Sequence, residues 1–137
     1  MFMNPEIESI LTERFSKDCL IALATAQGDT PYVRAVNAYY MNGAFYCVTH
    51  LMSNKMKQIA ANDRVALCGE WFTGQGRAKS LGHVLRAENQ AIMEILRPAF
   101  ASWYSNGHVD ESDENTILLK IALIGGVLMS HGRRFVW

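Results

Sequence analysis

The chain has 137 residues, half of them hydrophobic and 19% charged, a composition typical of a globular domain with its own core. Thirteen basic residues balance thirteen acidic ones, so no net field draws the chain to nucleic acid or to a membrane surface. Three cysteines, an odd number with no CxxC pair, argue against a disulfide framework and for reduced thiols buried as small hydrophobes.

The opening residues, MFMNPEIESI, carry acid where a secretory leader would carry base, so the expected compartment is the cytoplasm. Asn4-Pro5 predicts the N-cap and first position of a helix, with Ile7, Ile10, Leu11 and Phe15 on one apolar stripe. Residues 19–26, CLIALATA, predict a strand that is apolar on both faces. Gly28-Asp29 turns it into a second strand, 31–41, also apolar on both faces apart from Arg34 and Asn37. Those two differ in parity and point to opposite sides. Asn42-Gly43 then marks a hairpin whose two turn positions both need positive φ. AFYCVTH, 44–50, continues the sheet, and residues 54–62 form a short helix. RVALCGEWF, 64–72, reads as a fourth strand, and TGQGRAKSLGHV, 73–84, as a fifth bent at its glycines.

Residues 88–105 carry the longest helical spacing, through Ile92, Ile95, Leu96, Ala99, Phe100 and Trp103, with Pro98 expected to kink it or start a second helix. The acidic loop DESDEN leads into ILLKIALIGGVLMS, one or two further strands. The longest uncharged run there, IALIGGVLMSHG, is too short to span a bilayer. Sequential antiparallel strands, three peripheral helices and no linker or repeat predict one α+β domain over 1–137, built on a small closed or nearly closed barrel.

Chemistry concentrates at the start of the short helix. Ser53 stands at its N-cap, where its side chain would bond an early amide and leave others free at the positive end of the helix dipole. Lys55 lies in that first turn, where a cation is unfavourable unless an anion sits there too. A hydroxyl, a lysine and free amides at one helix start form a phosphate site, and Arg34 on the preceding strand can supply a second charge. The bland alternative is a solvated Lys55 and an ordinary edge-strand Arg34.

Other signals are weaker. Gly74 and Gly76 begin a GxGxxG that fails at Lys79, and a P-loop ending in Lys79-Ser80 lacks both glycines, with Thr73 and Ala78 in their places. The acidic loop lacks the ligand alternation of a calcium loop. The histidines at 50, 83, 108 and 131 have no zinc spacing. Trp71, Trp103 and Trp137 read as core or interface aromatics, and His131, beside Arg133 and Arg134, as an exposed polar end or a cofactor contact.

In order and spacing, LATAQGDTPYVRAVN, NGAFYCVTH, SNKMKQI and DRVAL resemble the pyridoxamine 5′-phosphate oxidase-like family of FMN-binding split barrels. The shared pattern is an arginine-bearing strand, a hairpin, a strand ending in Thr or Ser, an S-x-K helix start and an N-x-R-V strand start. It is clearest over residues 19 to about 72 and looser through GxGxAxxLG and the helix beyond. The resemblance implies a six-stranded antiparallel split β-barrel and a homodimer with FMN in each of two clefts between subunits. It implies that Arg34, Thr49, Ser53 and Lys55 hold the flavin phosphate and ribityl chain. Val36 and Asn37 then border the ring, and Asn54 replaces a basic residue found in many members. Trp71 and the stretch from His131 to Trp137 would reach the cofactor from the second chain.

The end, Arg133-Arg134-Phe135-Val136-Trp137, does not match the family's substrate-holding Arg-x-His segment, which points away from vitamin B6 oxidation and toward short nitroimidazole-resistance and general-stress relatives. The implied function is an FMN-dependent oxidoreductase moving electrons from a small-molecule donor to a small acceptor such as a nitroaromatic or quinone. The alternative is a non-catalytic holder of flavin, deazaflavin or haem, the last needing an axial ligand such as His50, His83 or His131.

Overall fold

The structure, a computed structural model, describes residues 3–137. Helix α1, Pro5–Phe15, begins as expected: the Asn4 side chain accepts the Glu6 amide at 2.7 Å, and Pro5 fills a position whose N–H has no helical partner. Strands β1 (Cys19–Gln27), β2 (Thr30–Met41) and β3 (Ala44–His50) follow as a meander. Asn42 and Gly43 turn β2 into β3 with φ of 50° and 84°. Helix α2 (Asn54–Ala61) leads to β4 (Arg64–Gly69) and β5 (Phe72–His83). Helix α3 (Gln90–Ala99), β6 (Thr116–Ser130) and β7 (Arg133–Val136) complete the chain.

Every strand pair is antiparallel, in the order β3-β2-β1-β4-β5-β6-β7, and β3 also pairs with β6 from Ala44–Ala122 to His50–Thr116. That last pairing closes β1 to β6 into a six-stranded barrel, leaving β7 as an added strand on β6. The seam between β1 and β4 is thin, with only Ala22–Cys68, Leu23–Leu67 and Ala24–Ala66 in register. Past those rungs the two strands part, and β2 and β3 are joined as briefly, at Tyr39–Tyr46, Tyr40–Phe45 and Met41–Ala44.

Alternation along the strands sets the inside. Ile21 and Leu23 of β1, Ala38 and Tyr40 of β2, and Phe45 and Cys47 of β3 are all buried in one cluster. Helix α1 closes the end near Tyr40, whose hydroxyl pairs with Glu8, and adds Ile7, Leu11 and Phe15 to the core. Helix α2 closes the opposite end with Met56 and Ile59, and its Gln58 bonds Thr25 near the far end of β1. Helix α3 covers the outer face of β3 and β6, where Met93, Leu96 and Phe100 bury Tyr46 and Leu118. Each such side chain contributes about 1.5–3 kcal/mol when removed from water.

Two expectations about the strands needed correction. The fourth strand ends at Gly69, and Glu70-Trp71 form a turn in which Trp71 takes φ of 53°. A tryptophan at positive φ carries no turn signal, so the segment 64–72 read as one strand. Of the one or two strands expected after the acidic loop, one long strand forms, and the chain end, exposed at His131, Arg133 and Arg134, adds a seventh strand that was not expected. Arg133 and Arg134 are exposed, but Trp137 stacks on Phe72 at 6.1 Å between ring centroids. A Cβ at Gly126 would come within 2.9 Å of the Trp137 ring, so only glycine admits it. The predicted bend of β5 is present as register shifts at Gln75/Gly76 and Ser80/His83. The helix over 88–105 breaks after Ala99, just past Pro98, and continues as short helical turns to His108.

The cysteines are free, but only Cys47 is fully buried; Cys19 is partly buried and Cys68 is exposed on β4. Residue 68 points outward because its neighbours Val65 and Leu67 take the inner and adjacent core positions. Among the described residues, no helix is long and apolar enough to cross a membrane.

Candidate functional site

Arg34 sits on a stretch of β2 that pairs with β1 alone, since β2 meets β3 only at Tyr39–Met41, yet its side chain is engaged within the protein. It lies inside β2, paired with Leu23, on the face that further along holds Ala38 and Tyr40. Its side chain therefore enters the barrel at the end that α2 covers. Nη1 donates to the Leu23 carbonyl at 3.2 Å and to Thr25 Oγ1 at 2.7 Å, and Nη2 donates to Gln58 Oε1 at 2.9 Å. Thr25 Oγ1 in turn donates to Gln58 Oε1 at 2.5 Å. All three acceptors are neutral. Burial lowers the basicity of the guanidinium from its usual value.

Helix α2 presents its start to the same place. Ser53 is the N-cap by backbone, with φ −67° and ψ 158°, and its carbonyl accepts the Lys57 amide at 3.1 Å. Its side chain does not cap: Oγ bonds no early amide and is buried without a partner. The hydroxyl has turned from the helix into the interior, so both it and the first-turn amides remain available. No acidic residue occupies that turn.

Lys55 is partly buried and its basicity is lowered, chiefly by loss of water and further by the positive charge of Arg34, while Cys47 acts in the opposite sense. Among the described residues neither Arg34 nor Lys55 forms an ion pair; the arginines that do are 77, 86, 97 and 133. Two cations, a buried hydroxyl and a helix N-terminus thus converge without a countercharge. Such an array can bind an anion with several hydrogen-bond acceptors.

Other expected residues fall in different places. Thr49 follows Cys47 by two positions on β3 and so shares its inward face. Val36 packs against the core on the face of Arg34. Asn37 faces outward, where Nδ2 donates to Asp18 Oδ1 at 2.9 Å, so its side chain is already engaged. Asn54 is exposed and lines a cleft of about 290 Å³ with Gln27, Tyr32, Lys57, Gln58 and Ala61. Trp71 and His131 line a separate cleft of about 370 Å³ between two hairpin turns, which Arg14 ties together by bonds to the Glu70 and Met129 carbonyls.

Two members of the site escaped sequence reading, Thr25 and Gln58. The signal was available: Thr25 shares parity with Ile21 and Leu23, and Gln58 follows Lys55 by three positions beside Met56 and Ile59. Each is a polar residue on an apolar face, and both are buried.

The three histidines considered as axial ligands each have a partner on at least one ring nitrogen. His50 Nε2 meets Asp113 at 2.9 Å while its Nδ1 accepts the Met52 amide, His83 Nε2 meets the Glu111 carbonyl at 2.7 Å, and His131 Nδ1 meets Ser130 Oγ at 3.0 Å.

The profile of the family described as pyridoxamine 5′-phosphate oxidase matches residues 4–126, nearly the whole chain. The chain belongs to this family. Among curated proteins, none matches the sequence. Solved structures share the split-barrel fold. A NimC/NimA family protein of Clostridium acetobutylicum is 22% identical at TM-score 0.66, over 94% of this chain and 92% of that one. A FAD-binding protein of Mesorhizobium loti is 16% identical at TM-score 0.69, over 91% and 92%. A heme binding protein of Mycobacterium smegmatis is 15% identical at TM-score 0.71; it matches all of this chain, which spans 59% of its length.

Proposed function

We propose that this member of the pyridoxamine 5′-phosphate oxidase family is a cytoplasmic FMN-binding oxidoreductase that works as a homodimer. The observation that carries this reading is the uncompensated pair Arg34 and Lys55 beside the unpartnered Ser53 hydroxyl. The residues fit a phosphate carrying roughly −1.5 to −2 charges. Lys55, Arg34, the Ser53 hydroxyl and the first amides of α2 would hold the phosphate. Thr49 would meet the ribityl chain, and the backbone at Val36 and Asn37 would border the ring. Asn54 offers hydrogen bonds but no charge, so the phosphate site relies on two cations. The Mesorhizobium loti neighbour, being FAD-binding, is consistent with a flavin in this fold.

Flavin, when bound, supplies hydride and electron transfer itself; the protein contributes binding, orientation and exclusion of water. In this reading a reduced small-molecule donor and a small acceptor, of nitroaromatic or quinone class, visit the same cleft in turn. A purely binding role for haem would have to use His83 or His131, since both ring nitrogens of His50 already have partners.

The outer face of β1 and β2 supports self-association. Leu20, Ala22, Ala24, Val33 and Ala35 share it, and Leu20 and Val33 are 66% and 69% exposed. A second copy is the simplest cover, since one patch can pair with itself about a two-fold axis. Trp71 and His131 would then lie on a partner's side of the cofactor cleft.

The deciding experiment is the absorption spectrum of the purified protein, followed by NAD(P)H oxidation with a panel of acceptors. Flavin bands, with turnover of at least one acceptor, are expected. A Soret band would replace flavin by haem. A bound flavin with no turnover under any donor would leave a binder and remove the oxidoreductase.

A further inference from the structure

Arg34 is held in an unusual way for a partly buried arginine. Buried guanidinium groups are normally held by carboxylates, because desolvating a charge without a countercharge is costly. Here the Leu23 carbonyl, the Thr25 hydroxyl and the Gln58 amide oxygen do the holding, at 3.2, 2.7 and 2.9 Å. Thr25 is 3% exposed and Gln58 is 7% exposed. Neither has the look of a surface residue that happens to be near. They also bond each other, so the two acceptors are locked as a unit between β1 and α2. A glutamate at 58 would have the same shape and could form a bidentate ion pair with Arg34. That would satisfy the arginine fully within the protein and leave little of its charge for a ligand.

We propose that Gln58 and Thr25 are positioning residues that fix Arg34 through neutral acceptors, so that its full charge remains available to a phosphate and the site selects phosphorylated over unphosphorylated flavin. The proposal rests on the FMN reading above and names what in this chain sets the preference within it. The geometry separates two jobs. Gln58 and Thr25 set where the guanidinium stands; Lys55 and Ser53 add charge and a donor from the helix side. Because Gln58 is on α2 and Thr25 on β1, the same pair also fixes the distance between the helix start and Arg34.

The test uses the full-length protein stripped of flavin and titrated with FMN and with riboflavin, followed by flavin fluorescence. Wild type should prefer FMN. Gln58→Glu should fold and melt no lower than wild type, yet lose about tenfold or more in FMN affinity, because a carboxylate now shares the arginine. Its riboflavin affinity should stay within about threefold of wild type, since no phosphate is involved. Gln58→Met, neutral and similar in length but no acceptor, should lose part of the FMN preference, less than Gln58→Glu because Thr25 and the Leu23 carbonyl still hold Nη1. A preference equal to wild type in this variant would overturn the positioning role of Gln58. Should Gln58→Glu fail to fold, Thr25→Asp places a carboxylate against Arg34 from the opposite side and must give the same loss. An unchanged FMN preference in the variant that folds overturns the proposal. So does failure of both to fold, which would make the pair a folding requirement. If wild type shows no preference for FMN and Lys55→Met changes nothing, the FMN reading itself has failed, and that outcome is distinct from either.

Discussion

The charge of Arg34 is felt at Lys55, and no carboxylate among the described residues pairs with either. One comes from a strand, the other from the first turn of a helix, and both lose water on folding. Like charges brought together in a half-dry place cost free energy unless something negative joins them.

Removing one charge should therefore help the empty protein and harm the loaded one. Lys55→Met should weaken FMN by about 1.5–3 kcal/mol, the scale of a charge-assisted hydrogen bond. The unliganded variant should melt at or above the wild-type temperature. Flavin fluorescence titration and thermal melts check the two halves, and equal FMN affinity would remove Lys55 from the site.

Ser53→Ala gives a sharper contrast. A serine whose side chain caps a helix costs about 1 kcal/mol when cut to alanine. Ser53 is at the cap position but its hydroxyl is buried and idle. The alanine variant should thus match or exceed wild-type stability, by up to about 1 kcal/mol, in urea unfolding without ligand. With FMN present it should lose about 0.5–1.5 kcal/mol of binding. A destabilised empty variant would restore the capping role.

Alkaline pH should expose the buried thiols. Burial raises Cys47 from 9.0 to about 12 and Cys19 from 9.0 to about 11, with Asp18 adding to the latter. Between the unfolded and folded values the unfolded chain has released a proton that the folded one keeps. The stability these thiols contribute is complete below pH 9 and declines as pH rises toward those folded values. Melting temperature followed from pH 7 upward should show the decline. Cys47→Ala should remove that thiol's share of the decline and leave the share of Cys19, apart from a constant packing loss of about 1–2 kcal/mol. Flavin content should not change.

The dimer is tested on β2. Val33→Asp puts a charge in the middle of the exposed apolar face without touching the core. The variant should fold, run as a monomer in light scattering, and hold less flavin than wild type. A monomer with full flavin would place the cofactor wholly within one chain.

Most of the architecture was legible because its signals are local. Asn42-Gly43 demands positive φ at both positions, and Asn4-Pro5 marks a helix start, so the hairpin and the first helix were fixed by neighbours in sequence. Trp71 shows the limit: it occupies a left-handed turn that tertiary contacts impose, with its carbonyl held by the Met129 amide from β6. The last strand was invisible for a similar reason, since RRFVW is too short and too charged to read as a strand without Phe72 and Gly126 beneath Trp137. In the candidate site, residue types and order pointed to Arg34, Ser53 and Lys55 as one cluster, and the structure places the charge of Arg34 near Lys55. What the sequence withheld was direction. That Ser53 Oγ turns away from its helix, and that Thr25 and Gln58 meet across two elements, depends on side-chain placement no spacing encodes.

Three rungs hold β1 to β4, and α2 rests beside the gap beyond them. Segments with few cross-strand bonds are the first to open in native-state fluctuations. An anion bridging Lys55 on α2 to Arg34 on β2 clamps the helix to the barrel from the far side of that gap. Departure of such a ligand would then be tied to the breathing of a short seam, and its residence time would depend on the barrel as well as on its own contacts.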